Sequence, residues 1–170
     1  MHDLASLNSL SAEEAAQELL QCCGSKRWAG QMADARPYEN LADVIARANK
    51  IWQSLDRDDW LEAFRSHPKI GEKKAAESVS AQSKTWSGQE QAGVNTASRE
   101  TTIALAALNR AYEMKFGFIF IICATGKTSA EMLSALRERL EHEPAEELPI
   151  AAAEQSKITE LRLKKLLTGA

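Results

Sequence analysis

Only three of the 170 residues are cysteine, and two of them, Cys22 and Cys23, are adjacent. That is a poor disulfide framework and fits a reducing cytoplasm. No C-x-x-C pair occurs, and His2, His67 and His142 are scattered, so no metal site is expected. A glycine-rich dinucleotide loop and a nucleophile elbow are both missing. Gly126-Lys127-Thr128 has the tail of a phosphate loop, but that motif needs a glycine where this chain has Ile121. Basic charge is not massed either: a net charge of −3 with dispersed Lys and Arg gives no field for nucleic acid. No apolar run approaches the roughly 18 residues that cross a bilayer, so no membrane partner is expected. Signal-peptide, transit and Ser-Lys-Leu features are lacking at the two ends, and the expected setting is the cytoplasm. There are no internal repeats.

The residues that are present read as one domain over 1–170, long enough to bury about 70% of its extended-chain surface. At 44% hydrophobic and 26% charged the composition is that of an ordinary globular protein. Ser11-x-x-Glu14 has capping-box spacing and opens a helix through Leu19 and Leu20 that Gly24 would stop. A short helix from about Lys26 carries Trp28 and Met32 on one face and ends before Arg36-Pro37. Asn40 caps a clearer one, with Leu41, Val44, Ile45, Ala48, Trp52 and Leu55 on an apolar stripe. Asp56 is the N-cap expected for a helix over Arg57 to Ser66. Thr128-x-x-Glu131 opens another through Leu140, and Pro149 is expected in the first turn of a last helix running to Leu167.

Between these helices lie the residues with chemistry. His67 precedes Pro68, so it should sit where a helix stops, with the helix dipole favouring an imidazolium. Gly71 then releases the chain into a turn. Residues 72–85 are polar and read as a loosely held helix or a mobile loop. Ser87-x-x-Glu90 has capping-box spacing, which predicts a long helix from Ser87 to about Lys115 with Glu90 in its first turn and Gly117 as its stop. Each residue also has a plain structural reading: a histidine capping carbonyls, and a glutamate closing a capping box. Phe118-Ile119-Phe120-Ile121-Ile122-Cys123 has the propensity of a buried strand, yet no other segment could pair with it. Its backbone groups could bind a polar ligand, or the segment could be plain core. Arg162 falls near the middle of the apolar arc of the last helix, among Ala151, Ile158, Leu161, Leu163 and Leu166. Leaving a buried charge unpaired costs roughly 3–5 kcal/mol, so Arg162 snorkels, meets a structural Glu, or aims into an anion pocket.

Taken together, six pieces carry a likeness: Cys22-Cys23-Gly24-Ser25 with Trp28, Arg36-Pro37-Tyr38, His67-Pro68-x-Ile70-Gly71, Ser87-x-x-Glu90-Gln91-Ala92-Gly93, Phe116-Gly117-Phe118-x-Phe120, and Lys157-Ile158-x-x-Leu161-Arg162-Leu163. The set resembles the 2-oxo-4-hydroxy-4-carboxy-5-ureidoimidazoline (OHCU) decarboxylases, which finish the conversion of urate to (S)-allantoin. It runs from about Leu10 to Leu167. The resemblance implies an all-α, single-domain bundle of about seven to nine helices, a homodimer, a small-molecule substrate, and neither metal nor organic cofactor. It implies His67 as the catalytic acid, with Glu90 and Arg162 as charged companions. Pro68, Ser87, Gly88, Gln89 and Gln91 would bind substrate, and the backbone of Phe118, Ile119, Phe120, Ile121 and Ile122 would hold the ureido end. Two other classes stay open on the residues alone: a non-enzymatic helical adaptor, and a hydrolase of another ureido or purine-derived ring with His67 as general base.

Overall fold

Side-chain caps decide where most of the helices begin. The computed structural model describes residues 3–72 and 79–168. Among them are nine α-helices, one 3-10 turn and no strand, so the fold is all-α. The chain divides into two compact units, Met1–Ala63 with Ser156–Ala170, and Phe64–Gln155.

The first unit holds α1 (Leu4–Ser9), α2 (Ala12–Leu20), α3 (Lys26–Asp34), α4 (Leu41–Ser54), α5 (Arg57–Arg65) as far as Ala63, and α9 (Pro144–Thr168) from Ser156. Ser11 and Glu14 form the predicted capping box, and Asn40 accepts from the Asp43 N–H. Asp56 Oδ1 accepts from the N–H groups of Asp58 and Asp59. Ser25 caps α3, but α2 stops at Leu20, before Gly24. The helix α1 has little periodic signal in six residues, and helices this short depend on packing, here on fully buried Leu7. Leu19, Trp28, Met32 and Val44 are also 0% exposed, and α3 packs on both α2 and α4. The Trp28 indole N–H donates to the Ala48 carbonyl at 3.1 Å, so this ring is buried with its polar atom satisfied. Truncating it to Ala would cost about 3–5 kcal/mol.

The second unit holds α6 (Ala81–Glu90), the 3-10 turn (Ala92–Thr96), α7 (Arg99–Phe116), α8 (Ser129–Leu140) and α9 as far as Gln155. Three expectations are corrected here. Ser80, not Ser87, caps α6 through the Ser83 N–H, so Ser87 is buried inside the helix and Glu90 is its last residue. The long helix from Ser87 does not exist. At Gln91 the chain tightens into the 3-10 turn, where a Cβ on Gly93 would collide with the Lys127 carbonyl, and Ser98 then caps α7. Pro144, not Pro149, opens α9. Pro149 lies inside the helix, where it withholds one N–H from the ladder.

Part of the reading of residues 72–85 falls on 73–78, outside the described residues; 81–85 are helical. Gly117 does end α7, in the left-handed conformation at φ 78°. After it Phe118–Ala124 runs on outside any helix and pairs with no strand. All of it but Ile119 is buried, with Phe118 packed on Phe64, Tyr112 and Phe116 and Phe120 packed on Tyr112. Aromatic burial stands in for the missing ladder.

Candidate active site

The His67–Gly71 turn is built by four neighbours that the chain brings from far away. The helix α5 ends at Arg65, and the His67 N–H donates to the Phe64 carbonyl at 3.1 Å, as a residue held off the helix by Pro68 should. His67 Nε2 lies 2.7 Å from Gln155 Oε1, and Gln155 is 0% exposed. An amide oxygen accepts, so the ring proton on Nε2 points at Gln155. Asn109 Nδ2 donates to the Ile70 carbonyl at 2.8 Å, and Glu113, one turn further along α7, pairs with Lys69 at 2.6 Å. Gly71, at φ 85°, donates its N–H to Gln91 Oε1 at 3.1 Å. That conformation suits glycine and little else. Gln91 therefore ties the two sequence motifs together. Asn109 Oδ1 is buried with no hydrogen-bond partner among the described residues, a cost of about 1–3 kcal/mol that a Leu would avoid.

Beside this turn is a cavity of about 340 Å³. Pro68, Ser87, Gly88 and Gln91 line it, together with Gly71, Glu72, Lys84, Val94 and Asn95. Lys84, Ser87 and Gly88, spaced 3 and 4 apart, stand on one face of α6, and Gln91, its C-terminal cap, follows about one turn on. Gln89 is exposed, and neither it nor His67 nor Glu90 belongs to that lining.

Glu90 is 7% exposed and stands at the C-terminus of α6, the end where the dipole disfavours a carboxylate. Its charge reaches the Cys123 thiol, as does that of Glu154, whose Oε2 accepts from the Cys123 N–H at 2.8 Å. Burial first, then these two carboxylates, push the Cys123 pKa up. In the first unit, burial pushes Cys23 up to about 12. Both shifts disfavour the thiolate, the nucleophilic form of cysteine.

The Phe118–Ile122 segment keeps its course through polar anchors as well as packing: Arg139 donates to the Ile121 carbonyl, and Glu154 takes the N–H of the next residue but one. Arg162 belongs to the first unit. It is 3% exposed, donates to the Gln21 carbonyl at 3.4 Å, and its charge acts on Cys23. Among the described residues no three His, Cys, Asp or Glu side chains are grouped to hold a metal, and no helix is long and apolar enough to cross a membrane.

Sequence reasoning missed Gln155. It lies four residues after Ala151 on the apolar side of α9, and Glu147 lies four before, also 0% exposed. Polar residues at i−4 and i+4 of an apolar stripe were the available signal.

The family model described as OHCU decarboxylase matches residues 8–164. Over 148 residues the chain is 45% identical to the uric acid degradation bifunctional protein TTL of Arabidopsis thaliana, covering 86% of this chain and 45% of that protein. It is 28% identical to the bifunctional protein PucL of Bacillus subtilis, covering 33% of it. The chain therefore spans less than half the length of these two relatives. It is also 31% identical to the 2-oxo-4-hydroxy-4-carboxy-5-ureidoimidazoline decarboxylase of Amia calva, covering 97% of this chain and 94% of that one. Among solved structures, an OHCU decarboxylase crystallised in the presence of (S)-allantoin is similar with a TM-score of 0.76 and 44% identity, over 89% of this chain and 97% of that one. A crystal structure of (S)-allantoin synthase shares the fold at a TM-score of 0.75 and 21% identity, over 98% of this chain and 54% of that one.

Proposed function

The chain belongs to the OHCU decarboxylase family, and from that premise we propose that it releases CO2 from 2-oxo-4-hydroxy-4-carboxy-5-ureidoimidazoline and delivers (S)-allantoin, with no metal or organic cofactor. The observation that carries the site assignment is the imidazole of His67, anchored at Nε2 by a buried amide in the same unit as the Pro68–Ser87–Gln91 cavity, buried Glu90 and the extended Phe118–Ile122 backbone.

The chemistry balances without a cofactor. In OHCU the carboxylate and a hydroxyl share one ring carbon, beside a ring C=N. As the bond to the carboxylate breaks, CO2 leaves and its electron pair becomes a C=C bond to the neighbouring carbon. The C=N pair moves onto nitrogen, which takes up a proton. The resulting enol loses its hydroxyl proton and gains one on the carbon that bears the ureido group. The substrate is its own electron sink, so the protein has to bind the carboxylate, exclude water and place one proton. Supporting these roles is a histidine at a helix end, where the dipole favours its charged form. His67 orients the carboxylate and shares in proton delivery; Glu90 holds the ring hydroxyl. Pro68, Ser87, Gly88 and Gln91 contact substrate, Gln89, exposed and outside that lining, enters from the family likeness alone, and Phe118–Ile122 receives the ureido end through its backbone. Arg162 enters from the family likeness alone, as the residue that balances charge.

The same likeness extends the proposal to residues 1–170 acting as one domain, to a homodimer and to a cytoplasmic setting. The test is to add the protein to freshly generated OHCU and follow its loss against the spontaneous rate. Consumption far above background supports the assignment. Loss at the spontaneous rate, with the protein folded, refutes it and favours a helical adaptor.

A further inference from the structure

One group of buried charges takes no part in the chemistry above. Glu147 is 0% exposed, and its Oε1 accepts from the Tyr112 hydroxyl and from Arg139, while Oε2 lies 2.8 Å from His142 Nδ1. Burial holds the Tyr112 hydroxyl well above its ordinary pKa, so it stays a donor. The Arg139 side chain is 8% exposed and lies over two rings that pack on each other, 4.7 Å from the Phe120 centroid and 5.9 Å from that of Tyr112. Its Nε and Nη2 face Glu147, and its remaining nitrogen, Nη1, donates to the Ile121 carbonyl.

Stability alone does not account for this arrangement, because replacing a buried ion pair by apolar residues of similar size is often neutral or stabilising. What an apolar pair cannot do is hold a backbone carbonyl. An extended segment without a ladder needs partners for its polar groups, and the planar fork of Arg can engage a carboxylate on one edge and a carbonyl on another. We propose that Arg139, locked by Glu147, is a positioning residue: it fixes the Ile121 carbonyl and with it the course of the Phe118–Ile122 backbone that receives the ureido group. This rests on the decarboxylase assignment above. Its weight falls on binding more than on the chemical step, since the segment holds the ureido group while the bond that breaks is on the neighbouring ring carbon.

Two variants test it. Arg139→Lys keeps the charge opposite Glu147 but has no planar fork to span both partners. The double variant Arg139→Met with Glu147→Leu removes the charges as a pair. KM and kcat for OHCU, the Kd of (S)-allantoin by calorimetry, and Tm are read for each and for the wild type. Both variants should raise KM and the allantoin Kd by about tenfold to a hundredfold, the scale of one hydrogen bond to the ligand lost or left unsatisfied, with kcat less affected. Wild-type KM and Kd in Arg139→Lys would overturn the proposal, because a purely structural charge would be rescued by lysine. Should the double variant fail to fold, Arg139→Lys decides alone. A wild-type protein that leaves OHCU untouched sinks the decarboxylase assignment and this inference with it; an active wild type with unaltered variant KM sinks only the Arg139 role.

Discussion

The turn that carries His67 and the segment over Phe118–Ile122, to which the proposed function gives opposite jobs, are built in opposite ways. The turn is held by separate contacts, most of them neutral: Gln155 on the ring, Asn109 on the Ile70 carbonyl, Gln91 on the Gly71 N–H, and a half-exposed Lys69–Glu113 pair. The segment is held by aromatic packing and by charged side chains, buried Arg139 and half-buried Glu154. A group that moves a proton needs an orientation set by contacts that do not overwhelm its own charge change. A surface that binds a ligand through its backbone needs to stay where it is, and buried charge pairs with several hydrogen bonds are stiff.

Removing the chemistry from the turn is the largest break. His67→Ala and Glu90→Ala should each lower kcat/KM by roughly 10²–10⁴ while unfolding stays cooperative, as measured by steady-state kinetics and thermal melts. A His67→Ala protein with wild-type turnover would remove the turn from the mechanism.

Changing what holds the ring should cost less and tell more. Gln155→Leu takes the acceptor from Nε2, worth about 1–3 kcal/mol, and should reduce kcat about tenfold or more. Gln155→Glu puts a carboxylate in the same place. An opposite charge favours the imidazolium, so the His67 pKa rises and the alkaline limb of the pH–rate profile moves to higher pH. A profile that superimposes on the wild type would mean that Gln155 does not address the working histidine.

Asn109→Asp keeps shape and volume but replaces the donor to the Ile70 carbonyl with a repelling oxygen. The turn should loosen: Tm falls by a few degrees, and activity drops by less than in Gln155→Leu. An unchanged Tm would show that the Asn109 bond contributes nothing.

The smallest effect lies in the wall. Burial and the two nearby carboxylates raise the Cys123 pKa, so at any given pH less of it is thiolate. Alkylation of Cys123 near pH 8, followed by mass spectrometry, should be slower in the native protein than in urea. Equal rates would mean that the wall opens readily.

These two regions also mark how far the sequence could be read. Caps are local, a matter of three residues, so the starts of α2, α4 and α8 could be placed from Ser11, Asn40 and Thr128. His67-Pro68 fixed a helix end for the same reason. Ser87 misled because Ser80 offers an equal cap seven residues earlier, and the helix that Ser80 opens runs through Ser87 and ends at Glu90. The segment's failure to form a strand was foreseeable from its lack of a partner. Its anchors were not, since Arg139 and Glu154 lie 18 and 31 residues away from the groups they hold. Gln155, 88 residues from His67, was equally out of local reach.

The most direct measurement of the whole account is the handedness of the product. Spontaneous loss of CO2 leaves a flat enol that water can protonate from either face, and allantoin then forms as a racemate. On the proposed assignment, a proton source fixed between Pro68 and a helix end reaches one face, and the largely buried Phe118–Ile122 segment keeps water from the other. Chiral analysis immediately after the reaction, at low temperature to limit racemisation, should return (S)-allantoin in large excess. Rapid turnover with equal amounts of the two enantiomers would contradict the claim that this pocket controls the proton.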